Sequence, residues 1–177
     1  MSEQTSSTHE ATGEPTPALA ALAKVILGKE SLDAILYRVA QLAKMTIPGI
    51  AEVSVTLVAG DHANTAAFTG ELAQQLDERQ YEQGYGPCLD AAQAGATVLI
   101  EDMVAESRWP RFTPLAADLG VRSSLSVGLP VQQEVIGALN LYAMRTQTFD
   151  PAAANSARTF AGYAAVALAN ASIYTST

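Results

Sequence analysis

Cysteine, histidine and charge are what this chain has least of. Its 177 residues include one cysteine, Cys88, two histidines, His9 and His62, and one tryptophan, Trp109. A lone thiol cannot close a disulfide within the chain and offers no cysteine-rich metal site. With only two imidazoles beside it, a zinc centre made of histidines and cysteines is not expected. Charged residues make up 16%, and eighteen acids against ten bases give a net charge of −8. The bases are scattered, and phosphate backbones repel such a surface, so direct nucleic-acid binding is not expected. No apolar run has the length to span a bilayer. The polar, acidic start lacks the basic-then-apolar order of a secretory signal. The expectation is a cytoplasmic protein with no membrane partner.

What is present is apolar: 49% hydrophobic residues and a mean hydropathy of +0.13. That is enough for one domain with a good core. The low surface charge reads either as an alanine-rich helical inventory or as apolar surface buried between chains. Residues 1–17, rich in Ser, Thr, Glu, Gly and Pro, are expected to be a disordered tail, and 18–177 a single domain. There is no internal repeat.

Period sorts the rest into elements. Ala18 to Leu27 reads as helix, interrupted at Gly28. Ser31 caps a helix whose stripe is Leu32, Ile35, Leu36, Val39, Leu42 and Ala43, ended by Pro48 and Gly49. Glu52 to Val58 alternates as a strand and pairs through Gly60-Asp61 with a more polar one, His62 to Thr69, suited to a sheet edge. A charged helix spans Gly70 to Glu82. After Gly84-Tyr85-Gly86-Pro87 comes a short helix, Cys88 to Ala94, then a strand, Thr97 to Ile100, a loop, Glu101 to Ser107, and a helix, Pro110 to Leu119. Leu125, Val127, Leu129 and Val131 alternate with Ser124, Ser126, Gly128 and Pro130, and a second run covers Val135 to Ala143. A two-residue turn near Gln132 to Glu134 would put Leu125, Val127 and Leu129 on one face with Ala138, Asn140 and Tyr142. Asp150-Pro151 starts a helix that runs to about Tyr174 and is apolar around much of its circumference, as a helix packed on more than one side is.

The resulting order is helix, two strands, short helices around a strand, two strands, helix. It is an α+β layout with a central antiparallel sheet. The runs Gly84-Tyr85-Gly86-Pro87-Cys88-Leu89-Asp90-Ala91, Ser107-Arg108-Trp109-Pro110-Arg111-Phe112, Leu119-Gly120-Val121-Arg122-Ser123-Ser124-Leu125-Ser126-Val127 and Ile136-Gly137-Ala138-Leu139-Asn140-Leu141-Tyr142 resemble the GAF domain family, PAS-related small-molecule sensors. The wording is most similar to GAF domains that actinobacteria fuse to ANTAR RNA-binding output domains. The resemblance covers roughly Ala20 to Tyr174. It implies a sheet of five or six strands with the N- and C-terminal helices on one face. Short helices and loops, Glu71 to Leu119 here, would form a pocket on the other. It also implies a homodimer through the terminal helices. Two departures stand out. The chain ends at Thr177, so the expectation is that it carries no output domain and signals to a separate partner protein. Gly128 stands where such sequences commonly carry proline.

Chemistry-bearing residues are few. Cys88 at a helix start invites a lowered thiol pKa and a redox or nitrosation sensor, but a small buried hydrophobe is the favoured reading. Free-methionine-sulfoxide reductases with a GAF fold rely on several cysteines, and one cysteine leaves no resolving partner. His62 as a haem ligand is weighed against a solvated turn residue, which is favoured. The family's cyclic-nucleotide pattern Asn-Lys-Phe-Asp-Glu and its bilin-type Cys-His pair are absent. Asp90, Glu101 and Asp102 read as solvated loop acids. The resulting expectation is no enzyme, no catalytic or metal residues, an unknown cofactor, and a small-molecule pocket at Tyr85, Cys88, Trp109 and Phe112 with Asn140 and Tyr142. The alternative is a ligand-free dimerisation or docking scaffold whose own side chains fill the pocket.

Overall fold

The computed structural model describes residues 30–130 and 134–175. The tail of residues 1–17, the helix expected at 18–27 with its break at Gly28, and the centre of the turn at 131–133 lie outside them. Helix α1 (Leu32–Thr46) is capped by Ser31, whose hydroxyl accepts from the Ala34 N–H, and it buries Ile35, Leu36, Val39, Ala40 and Ala43. Strands β1 (Glu52–Ala59) and β2 (His62–Phe68) form the first hairpin. Helices α2 (Glu71–Gln83) and α3 (Pro87–Ala94) precede β3 (Thr97–Ile100). Helix α4 (Thr113–Asp118) precedes β4 (Ser123–Gly128) and β5 (Val135–Ala143), and α5 (Pro151–Thr175) closes the chain. The Asp150 carboxylate caps α5 by accepting from the Ala153 N–H at 2.8 Å.

The five strands make one antiparallel sheet in the order β2-β1-β5-β4-β3. Helices α1 and α5 pack on one face over Val53, Val55, Leu125, Val127, Leu139 and Leu141. The alanines of α5, among them Ala157, Ala161, Ala164 and Ala165, are buried in the same core. Helices α2 to α4 cover the other face as a roof. The α+β expectation and the placement of the terminal helices therefore hold.

Two local expectations change. The helix expected from Pro110 starts at Thr113. The Trp109 carbonyl accepts from both Phe112 and Thr113 N–H groups, and the Arg111 N–H goes to the Tyr85 hydroxyl, so residues 110–112 form a turn before the helix. The β4–β5 register also differs. Leu125 pairs with Leu141, Val127 with Leu139, Ser124 with Tyr142 and Ser126 with Asn140. A two-residue turn imposes the other parity. One residue of slip exchanges the faces of a whole strand. Leu125 and Val127 thus lie under the terminal helices, while Asn140 and Tyr142 face the roof.

Gly128 marks where roof and sheet meet most closely. A Cβ there would overlap the Ala91 carbonyl oxygen, and the Gly128 N–H donates to the Ala96 carbonyl at 2.9 Å. Proline has neither the space nor the donor. Helix α3 rests directly on β4 here, so Gly128 fits where the proline of the resembling sequences would not.

Candidate functional site

The roof-facing floor of the sheet is built from small polar residues. Ser54 and Thr56 of β1, Asn140 and Tyr142 of β5, and Ser124 and Ser126 of β4 share this face, and all are essentially inaccessible to solvent. Over this floor α2 lowers one stripe, Ala73, Leu76, Asp77 and Gln80, the spacing that puts residues on one side of a helix. Asp77 is therefore a fully enclosed carboxylate, which demands hydrogen-bond donors. The Tyr142 hydroxyl donates to its Oδ1 at 2.6 Å and the Thr65 hydroxyl to its Oδ2 at 2.9 Å, with a further bond from Ser54. Burial outweighs these bonds and, helped by the charge of Glu78, raises Asp77 from 3.8 to about 6. Burial, then the charge of Asp77, also pushes up the Tyr81 and Tyr142 phenols and the Cys88 thiol, so all three stay neutral.

The directions of these bonds follow from counting protons. Thr65 spends its one hydroxyl proton on Asp77, so Tyr81 is the donor in their 2.8 Å contact. The phenol proton is then used, and Thr56 donates in its 2.7 Å contact with Tyr81. Thr56 is left to accept, which it does from Asn140 Nδ2 at 2.9 Å; the same amide also donates to Ser54 at 3.2 Å. On the other side Gln80 Nε2 donates to the Tyr142 hydroxyl at 3.2 Å. Both branches run toward Asp77. Among the described residues two buried side-chain polar atoms have no partner, Asn140 Oδ1 and Ser124 Oγ.

The residues expected to line a pocket fall into three places. Trp109, Phe112 and Tyr142 pack with Ile100, Met103, Ala73 and Leu76 in a second core, with Tyr85 half-buried against it. Trp109 Nε1 donates to Asp90 at 3.0 Å, and the Arg108 guanidinium lies 4.6 Å from the centre of a Trp109 ring. Cys88 belongs to a smaller cluster with Val58, Leu89, Ala91, Ala92 and Ala138. Asn140 sits in the polar floor. Gln80 joins the first two places, accepting from the Cys88 N–H at 2.9 Å and donating to Tyr142. Phe112 is wholly enclosed and Trp109 is 4% exposed, so these rings fill the roof interior. An open depression of about 420 Å³ lies elsewhere, lined by Leu99, Glu101, Asp102, Ala105, Glu106, Ser107 and Arg108. The reactive-thiol reading of Cys88 is not supported: enclosure in an apolar cluster beside Asp77 outweighs any pull from the helix start. His62 is exposed beside the β1–β2 turn.

Asp77, Gln80, Tyr81, Thr65, Ser54, Thr56 and Ser124 escaped the sequence reading of the site. A signal was present for two of them. Ala73, Leu76, Asp77 and Gln80 follow helical spacing, which places two polar side chains on an inward stripe.

Several solved structures share this fold. Free methionine-R-sulfoxide reductase from Neisseria meningitidis is 21% identical, with a TM-score of 0.68 over 89% of this chain and 90% of its own. A type II free methionine-R-sulfoxide reductase from Thermoplasma acidophilum is 18% identical, with a TM-score of 0.62 over 78% and 92%. The GAF domain of a phosphoenolpyruvate-protein phosphotransferase from Coxiella burnetii is 16% identical, with a TM-score of 0.67 over 91% and 96%. The reductases correct the expectation that this chain is not an enzyme. They are enzymes on the same fold, so absence of catalysis does not follow from the architecture. No curated protein matches the chain. The sequence pattern described as GAF domain matches residues 29–169, from just ahead of α1 to deep in α5, and covers sheet and roof alike. On that span the chain belongs to the GAF domain family.

Proposed function

We propose that this chain is a sensory domain that takes a small molecule between its sheet and its roof and passes the occupancy to α1 and α5. The observation that carries the reading is the under-satisfied floor: two enclosed polar atoms without partners beside a hydrogen-bonded carboxylate. Buried polar groups ordinarily find partners, and an exception calls for a missing one. Tyr142 bounds the site from the floor and Gln80 from above, with Tyr85, Cys88, Trp109 and Phe112 forming its surrounding wall. Coupling to the helices runs through β1 and β5, whose alternate residues face the floor and the terminal helices. It requires a ligand that binds two arrangements of those helices with different affinity.

Further parts of the reading concern assembly. Tyr37, Met45 and Val166 on α1 and α5 are exposed apolar side chains, which suits a homodimer through these helices. The domain then acts in the cytoplasm on a separate output protein. Native mass spectrometry of freshly purified chain tests both halves. The expected result is twice the chain mass with a retained small molecule. A bare monomer at micromolar concentration overturns the dimeric sensor.

A second reading has its own support. The enclosure of Trp109 and Phe112 suits a roof plugged by its own side chains, and with it a dimerisation or docking scaffold that binds no small molecule. Bare dimers under the same conditions favour it.

A further inference from the structure

We propose that Asn140 Oδ1 and Ser124 Oγ form a subsite for a small neutral or cationic molecule that presents an N–H donor, an amide group above all. The proposal rests on the ligand-binding reading above and narrows it to a chemical class. Both atoms are enclosed and unpartnered. Ser124 pairs across the strands with Tyr142 and Ser126 with Asn140, so Ser124 and Asn140 are diagonal neighbours on one face. Such neighbours lie about 7–8 Å apart by Cα, and a molecule of a few heavy atoms bridges that span. Asn140 Oδ1 accepts only, whereas a serine hydroxyl both donates and accepts. A primary amide satisfies the pair, giving an N–H to Asn140 and taking the Ser124 proton on its carbonyl.

The surroundings argue against an anion. The donors of Thr65, Tyr142, Asn140 and Gln80 are already spent along the branches that end at Asp77. Arg122, just before β4, places its guanidinium on the Ala117 and Val121 carbonyls. Arg108 is held by Glu106 and the Leu99 carbonyl. A carboxylate or phosphate placed on the floor meets only the Ser124 and Ser126 hydroxyls as donors, with an amide oxygen and the negative field of Asp77 against it, and no base among the described residues neutralises it.

The test uses three probes of nearly one shape on the full ¹⁵N-labelled chain: acetamide, sodium acetate and acetone, at constant ionic strength. The readout is the side-chain amide resonances of Asn140 and Gln80. Acetamide is expected to shift Asn140 saturably, on the order of tenfold more tightly than either of the others, the effect of about one hydrogen bond. In Ser124→Ala the acetamide affinity is expected to fall by a similar factor with the spectrum otherwise kept. Should acetate or acetone shift Asn140 as tightly as acetamide, the ligand reading survives and the donor class is lost. The same conclusion follows if Ser124→Ala binds acetamide unchanged. Silence from all three probes overturns both, and a water cross-peak at Asn140 would then identify a structural water as the missing partner.

Discussion

The two faces of the sheet are made by the same strands and are built on different principles. On one, Val53, Val55, Leu125, Leu139 and Leu141 meet the alanines and Phe160 of α1 and α5 in one apolar cluster. On the other, Ser54, Thr56, Ser124, Ser126 and Asn140 meet Asp77, Gln80 and Tyr81. The first face is held by area and fit, which tolerate no cavity. The second is held by a hydrogen-bond network whose worth depends on every member being satisfied, and two atoms are not. Stability is therefore concentrated under the terminal helices. The roof side keeps chemistry in reserve.

Truncation under the helices breaks the comparison most severely. Leu141 is wholly enclosed, so Leu141→Ala is expected to lose about 2–5 kcal/mol in urea unfolding. Next comes the point where the roof rests on the sheet. Gly128→Pro removes the donor to Ala96 and forces ring atoms into the Ala91 carbonyl. A loss of about 3 kcal/mol or more is expected. If Gly128→Pro is tolerated, α3 does not lie on β4 as described.

pH sharpens the contrast, because Asp77 is the enclosed carboxylate of the roof side. It is faced by Tyr142 from β5, Thr65 from β2, Ser54 from β1, Tyr81 and Glu78 from its own helix, and the Cys88 thiol from α3. Folding raises its pKa from 3.8 to about 6, so the folded state holds the proton more tightly than the unfolded chain. The stabilisation is complete below about pH 4 and is lost as pH rises through about 6, a change of about 3 kcal/mol across the interval. Unfolding free energies of the wild type are expected to carry this downward slope, and Asp77→Asn to flatten it. An unchanged slope in the variant would place the titration elsewhere.

The helix-covered face was far more legible in the sequence than the roof side. Alternation along β1 and the stripe Ile35, Leu36, Val39 and Ala43 are strong periodic signals, and caps at Ser31 and Asp150 locate helix starts to the residue. The β4–β5 register was not legible. Its parity depends on one residue in a turn whose Gln-Gln lacks the usual glycine or asparagine, and it decides which face receives Asn140. The aromatics Trp109 and Phe112 read as pocket residues because planar rings line many pockets; the structure encloses both in the second cluster. Asp77 is hidden in the sequence because a carboxylate among Glu78, Arg79 and Glu82 reads as a solvated face. Period, more than polarity, identified its side of the helix.

The smallest expected effect is also the most discriminating. Ser124 and Leu125 are neighbours in sequence, equally enclosed, and on opposite faces. Leu125→Ala would open a cavity. Ser124→Ala removes a hydroxyl that has no partner. A buried group without a partner contributes its desolvation cost and nothing in return. Ser124→Ala is therefore expected to leave stability unchanged or raise it by about 1 kcal/mol, read as a shift in urea midpoint at constant slope. A clear loss would mean that the hydroxyl is already bonded, by an enclosed water, in the unliganded protein. The roof side would then be as satisfied as the helix side, and its reserve of unmet hydrogen bonds would be gone.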